Sequence, residues 1–515
     1  MKKLLAFSTA LMFVITAYPQ VVNISNVRAM NIKNVSAITE NEEVKGYVSF
    51  YFVDKENRKE NNYKLNIYDN NLNLKFDIDL IKPSNISYIE GAYNGTAFCY
   101  SFFDPKTKTL DYIVYDKEGK KKGSYLSPEL SKMELAYMEQ KLKQPENPFA
   151  GVLVGIPSVG FARYGLDDDK GRAAVIEMID NDGKKAWSKT IKGDDDNDYV
   201  FAMPLAYSKD VLATLIYTRE SLFKQEFKKT IIKCQNTADG SDLFKFDCKG
   251  KKYQYSPTGV SIEGDKILLF GEYFKPTDNT IKENSQGLFI IEFDNTGKMV
   301  RESYQSWKEN INKTIPSTGQ QKLDARMKIA VHDIVKTADG SYFVICEQFM
   351  RVADGAGIAM NIIGGGYGSA MTKIESFSMM VMQFNADFVI QKTEIFEKNK
   401  TSIELMPGLD MYGTTFIAYY LKATGQFDYS FTTISPDKKI FNVGYVNYDR
   451  KKEGGIYTIG NLAYNKEQKL VHDKLELKTK PTVFIALPGK PGYVAVMEYF
   501  KKEKKATIRL EKLNI

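Results

Sequence analysis

Histidine is almost missing: 2 of 515 residues, His332 and His472. Neither lies in a spaced cluster with Cys, Asp or Glu, which excludes a histidine-based zinc site. Phosphate-cradling glycine patterns are also missing, since neither GxGxxG nor GxxxxGK[ST] can be read across GGGYGS (364–369). No GxSxG elbow occurs, and GIPSVG (155–160) has the wrong spacing for one. A Ser-His-Asp arrangement has no fixed chain order, and nothing here points to one. Charge of one sign is lacking too. The 71 basic and 64 acidic residues give a net +7 and are interleaved, and the runs KKEKK (501–505) and GKKKG (119–123) sit in turn-like contexts. Solvated turns account for them, and nucleic acid is excluded as a partner.

Long apolar runs are absent after the first twenty residues. At the N-terminus, Lys2 and Lys3 precede an apolar run from Leu4 to Ala17 and the polar exit Tyr18-Pro19-Gln20. The run is too short and too one-sidedly flanked for a membrane span, so residues 1–20 read as an export signal rather than an uncleaved anchor. No Cys follows the run, which gives no support to lipid modification. The expectation is an exported chain, 21–515, with no transmembrane segment.

What is abundant is aromatic residues, 13% of the chain with 32 Tyr and 31 Phe, a composition that favours strands. The clearest unit is ADGSYFVICEQFMR (338–351), answered by SFSMMVMQFNADFVIQKTEIF (376–396). Variants recur: GYVSFYFVD (46–54) with 63–80, GTAFCYSFFDP (95–105) with 110–126, 158–169 with 173–191, 211–218 with 228–246, and 266–274 with 287–304. The turns IYDNNL, VYDKEGK, MIDNDGK, EFDNTGK and QFNADF occupy one place in the unit. An Asp or Asn that bonds its own backbone, with a Gly free to take positive φ soon after, closes two strands tightly.

Residues 442–477 repeat the unit, 414–435 read as a strand pair, and the chain ends on three strands (482–489, 492–500, 506–515). The strand-like segment VVNISNVRAMNI (21–32) has no partner of its own. Completing the last sheet with it closes a ring and removes exposed edges. The expected fold is all-β, a single β-propeller of seven or eight blades closed by the N-terminal strand, with one short helical insertion. Two β-sandwich domains are the alternative, disfavoured by the even spacing of the turns.

In a four-stranded blade, loops after the second and fourth strands share a face. The long connections, with insertions at 127–157, 306–326 and 352–375, all fall on that side, where function is usually displayed. Ser127 as cap, Pro128 in the first turn, and Leu130, Met133 and Tyr137 at helical spacing predict the helix, its apolar stripe docked on the propeller. The segment 352–375 is Gly-rich yet apolar. Ile358, Met360, Ile362, Tyr367 and Met371 are the candidate binding residues, within what reads best as an extended hairpin. Asp194, Asp196 and Asp198 in DDDNDY (194–199) have the opening spacing of a calcium loop. Tyr199 and Leu205 stand where Gly and Glu are wanted, so solvated turns are preferred and no cofactor is expected.

Cysteine is scarce, with four in the chain. Cys234 and Cys248 flank QNTADGSD (235–242); a hairpin centred on residue 241 sets them opposite, as a disulfide or as two free thiols. Cys99 and Cys346, inside apolar strands, read as buried small hydrophobes.

The Asn/Lys/Tyr-heavy composition, a signal ending near Gln20, and phrases such as ADGSYFVICEQF and FDNTGKMV resemble the secreted, propeller-like proteins of unknown function from Bacteroidetes bacteria. The resemblance covers most of the chain after the signal and implies an envelope or surface location, without an activity. The function expected is a non-enzymatic binding or scaffold protein in the periplasm or at the cell surface, engaging an envelope protein or glycan through the loop-rich face. The alternative is a hydrolase or lyase with acidic residues at the channel, where 64 carboxylates leave no pair singled out.

Overall fold

The structure is a computed structural model that describes residues 20–513 apart from 31–33, 41–42, 54–56, 58, 144–151, 222–226, 281–282, 284, 316–326, 364–369, 407–408, 450–455 and 478. The export signal expected at 1–20 falls outside these residues, save Gln20.

The turn signature builds the unit as its chemistry dictates. Asp116 Oδ1 accepts from the backbone N–H groups of Glu118 and Lys120 at 3.1 and 2.8 Å, and Asp69, Asp180, Asp294 and Asn385 repeat the pair. The residue three places on takes positive φ whatever its type: Leu72, Gly119, Gly183, Gly297 and Phe388. Each turn joins the third and fourth strands of a blade. At Gly297 (φ 81°) a Cβ would stand 2.3 Å from Phe244 Cβ of the preceding blade, whereas at Gly264 (φ 58°) it would meet nothing. Gly297→Ala is therefore expected to cost about 2–3 kcal/mol, strain plus clash, and Gly264→Ala only about 1 kcal/mol of strain. Urea unfolding of the two variants checks the difference.

Eight sheets result, each of four strands apart from the first and sixth, which have five. The first blade runs outward from Val35–Glu40 through Glu43–Val53 and Glu60–Asp69 to Leu74–Pro83. The last comprises Val483–Pro488, Tyr493–Phe500, Lys505–Lys512 and, as its outer strand, Val21–Ile24. Val22 lies opposite Ile508, so the ring closes as expected. The chain then crosses at once to the first blade, where Val27–Ala29 pairs with Glu43–Val53. Ile24, Val27 and Met30 are buried in one cluster with Tyr47, Met497 and Tyr499. Apolar faces of adjacent blades supply the core; Phe50 stacks on Tyr100 at 4.5 Å between the first and second blades.

The inner strands escaped the sequence reading most. Tyr199–Tyr207, Gln254–Glu263 and Met327–Lys336 are largely half-buried, so they lack a clean apolar alternation. A bulge interrupts their pairing, at Pro204/Ala206, Pro257/Gly259 and Val331/Asp333, where proline's missing N–H costs no ladder bond. Val152–Ile156, assigned to an insertion, is the inner strand of the third blade.

Three helices of nine or more residues occur among the described residues, not one: Lys132–Lys143, Gly355–Ile363 and Thr414–Ala423. The first starts later than expected. Ser131 Oγ accepts from Glu134 N, while Ser127 Oγ accepts from Leu110 N in the adjoining strand. It docks through buried charge as well as its apolar residues. Arg163 bonds Glu134 and Glu177 at 2.6 Å each, and Lys141 bonds Glu90 at 2.6 Å. The segment 352–375 holds the second helix rather than an extended hairpin. The third corrects the strand pair expected at 414–435, of which only Tyr429–Ile434 is a strand. Ile417, Ala418, Tyr420 and Leu421 are buried at helical spacing, and Gly425 at φ 66° ends the turn, a stop signal that the aromatic, β-favouring composition masked.

Candidate binding face and channel

Two of the long connections meet at the sixth blade. Arg351 donates to the Tyr412 carbonyl at 3.0 Å and to the Asp410 carbonyl, and Asp410 Oδ2 accepts from Met371 N at 2.7 Å. The second-strand loop of the sixth blade is thereby tied to the connection that follows that blade. Arg219, from the fourth blade, lies between the rings of Phe227 and Tyr412, 4.5 and 4.7 Å from their centroids. Aromatic faces stabilise such a desolvated guanidinium.

The helix Thr414–Ala423 lies across the channel mouth, fixed to inner strands of different blades. Tyr419 Oη donates to the Pro204 carbonyl at 2.9 Å, and Lys422 Nζ to the Val331 carbonyl at 2.8 Å. Beneath it, Tyr217, Glu272, Lys328 and Tyr419 line a cavity of about 30 Å³. Burial pushes the Glu272 carboxyl up and the Lys422 amine down. Acidic and tyrosyl groups do converge here, but the space is about that of one or two waters.

Of the candidate residues, Ile358 and Met360 stand exposed on the helix Gly355–Ile363, and Met371 is exposed beyond it, with exposures of 37%, 61% and 54%. Ile362 lies on that helix, but its side chain, like Tyr367, is outside the described residues. These are three exposed large apolar residues on one excursion, with Ile358 and Met360, two apart on the helix, facing different sides of it.

A buried ionic group, missed because its members are far apart in sequence, joins the sixth and seventh blades. Lys398 Nζ contacts Asp428 Oδ2 at 2.6 Å and Glu347 Oε1 at 3.3 Å, and donates to Ser376 Oγ at 2.9 Å. Thr401 donates to Asp428 at 2.7 Å and the Tyr429 backbone to Glu347 at 3.2 Å. His332 stacks on Tyr429 at 4.5 Å, with Nε2 3.4 Å from Glu347 Oε2. Burial lowers the His332 imidazole below its ordinary value, against the pull of the Glu347 carboxylate. Burial also works against the Glu347 charge, but Lys398 and His332 outweigh it and hold the carboxyl at about 2. Asp428 is pushed up to about 6 by burial and by the Glu347 charge. The group serves as a joint between the two blades, although His332 Nε2 has no hydrogen-bond partner.

The acidic candidates are not brought together. Asp194 pairs with Lys229 at 2.8 Å, and Asp198 is buried against Lys228 at 2.9 Å rather than lying in a solvated turn. No group of three or more His, Cys, Asp or Glu side chains able to hold a metal occurs among the described residues. Cys234 opposes Phe244, not Cys248, because the hairpin turns about two residues earlier than the symmetric reading placed it. Cys248 instead donates its N–H to the Thr230 carbonyl, and both thiols are free and buried. Cys99 and Cys346 are buried as well.

Eight sheets in a closed ring, the last completed by the first strand of the chain, define an eight-bladed β-propeller. The chain belongs to the family of unknown function DUF6770, whose model matches residues 1–514. No curated protein matches the sequence. Among solved structures it is similar to the WD40 domain of SCAP from fission yeast, at TM-score 0.39 and 9% identity over 95% of this chain and 94% of that one. A Lactobacillus plantarum protein gives TM-score 0.35 at 10% identity, over 83% of this chain and 95% of that one. A post-proline cleaving enzyme from Rickettsia typhi gives 0.40 at 9% identity, over 90% of this chain and 57% of that one.

Proposed function

We propose that this propeller is an exported, non-enzymatic binding or scaffold protein that holds an envelope protein against its loop-rich face. The observation that carries the reading is the exposure of three large apolar residues, Ile358, Met360 and Met371, on one excursion beside the helix Thr414–Ala423. Large apolar side chains exposed on a scaffold favour a protein partner over a glycan. The hydrolase or lyase reading would need substrate space at the channel, whereas the cavity beneath that helix holds about 30 Å³.

The test is capture from a solubilised envelope extract by the native chain and by an Ile358→Glu/Met360→Glu/Met371→Glu variant, both with the same melting temperature. A specific protein captured by the native chain and depleted at least tenfold from the variant is the expected result. Equal capture by both overturns the assignment of the face. Export is read separately, from the N-terminus of the protein recovered from the periplasm or medium. A start near residue 21 is expected, and retention of residues 1–20 in the cytoplasm overturns it.

A further inference from the structure

On the opposite face, where the turns are short, the seventh and eighth blades part to leave a cleft of about 480 Å³. Its wall is built from two rows of opposed residues: Phe431, Gly444 and Asn461, then Thr433, Asn442 and Ala463. Opposed residues in an antiparallel ladder point to the same side. Phe431 lies down over Gly444, whose Cβ position would be 2.3 Å from the ring. Asn461 is 1% exposed, yet neither its Oδ1 nor its Nδ2 has a hydrogen-bond partner, and Asn442 Oδ1 also lacks one. A buried amide with both ends unmet is costly, and such groups are normally paired. Here both asparagines line the cleft.

We infer that this cleft binds a neutral saccharide, with Asn442 and Asn461 bonding its hydroxyls and Phe431 and Tyr493 supplying the apolar walls. The buried polar groups of the wall are uncharged amides. At the rim, Lys466 and Lys490 are matched by Glu43 and Glu467, two charges of each sign, so the lining has no net charge to ask for an ionic ligand. A hydroxyl both donates and accepts, matching an amide that offers one of each. A peptide added as a strand would need a free sheet edge. Asn442 and Asn461 instead sit on Phe441–Asp449 and Ile456–Tyr464, the two central strands of their sheet, paired on both sides. The volume falls in the range of small-molecule sites, about 300–1,000 Å³. This site is independent of the protein partner proposed above, which uses the other face.

The full chain is titrated with cellotriose, maltotriose and chitotriose by saturation-transfer NMR and by thermal shift. At least one is expected to bind and to raise the melting temperature. Asn461→Leu is expected to weaken that binding at least tenfold while itself raising the melting temperature of the free protein, because an unmet amide is replaced by an apolar group. Thr433→Phe, at a half-buried position opposite Asn442, obstructs the cleft while leaving both asparagines in the sequence and should also abolish binding, which keeps the test open if Asn461→Leu fails to fold. No signal from any trisaccharide overturns the inference. So does binding that survives the substitutions, or a peptide bound with the same sensitivity to Asn461→Leu.

Discussion

Lys398→Met is expected to lower the unfolding free energy by about 3–5 kcal/mol, because it leaves the Glu347 and Asp428 carboxylates buried without their shared cation. The side chain of Lys398 is fully buried, so water cannot replace the lost charge. Adding Asp428→Asn should recover part of the loss, since one of the two abandoned anions is then neutral. Urea unfolding of the single and double variants measures both, and an unchanged stability in Lys398→Met would remove the ion group from its structural role.

The same group sets a pH dependence whose sign can be worked out. Asp428 titrates at about 6 in the fold, above the ordinary carboxylate value of about 4. The folded state thus holds its proton more tightly, and this stabilisation is complete below about pH 4 and lost as pH rises to 6. Glu347, held low, works in the opposite sense, contributing above its ordinary value and losing that contribution as pH falls toward 2. The difference between native and Asp428→Asn stability isolates the Asp428 contribution. It should change between pH 4 and 6 and be flat above 7.

Removal of Gln20–Met30 is expected to be the other severe change. Ile24, Val27 and Met30 are buried against both the last and the first blades. Three such side chains contribute about 5–9 kcal/mol in transfer terms alone. Their loss also bares the Lys505–Lys512 strand, whose free N–H and C=O groups invite pairing with another chain. The truncated protein should melt lower and self-associate in light scattering. A monomer of native melting temperature would show that the ring holds without its closing strand.

Much of the fold was legible because its signals are local. The Asp116, Asp180 and Asp294 turns declare themselves within five residues, and the strands beside them alternate or run apolar as their burial requires. The closing strand was legible by elimination, as the one strand-like segment without a neighbour. Less was legible where packing overrode pattern. The helix Thr414–Ala423 is rich in aromatic residues that favour strands, and its apolar side is buried mainly against Phe349, Ile374, Ile403 and Leu405 of the sixth blade and the connection that follows it. The apolar residues of 352–375 were identifiable one by one, but not as an exposed helix. Asn442 and Asn461 carried no signal, since an unmet amide is a property of surroundings rather than of residue type.

By itself the sequence determined the repeating unit, its turn chemistry, the closure of the ring, and the side on which the long connections emerge. These follow from interactions a few residues apart and from the alternation of strand direction. Only the tertiary structure decided the count of eight blades, the covering of the channel, the Lys398 ion group and the empty amides of the cleft. Each of those depends on which distant side chains meet in a space closed to water, where an unmatched charge or amide costs several times what it does at the surface.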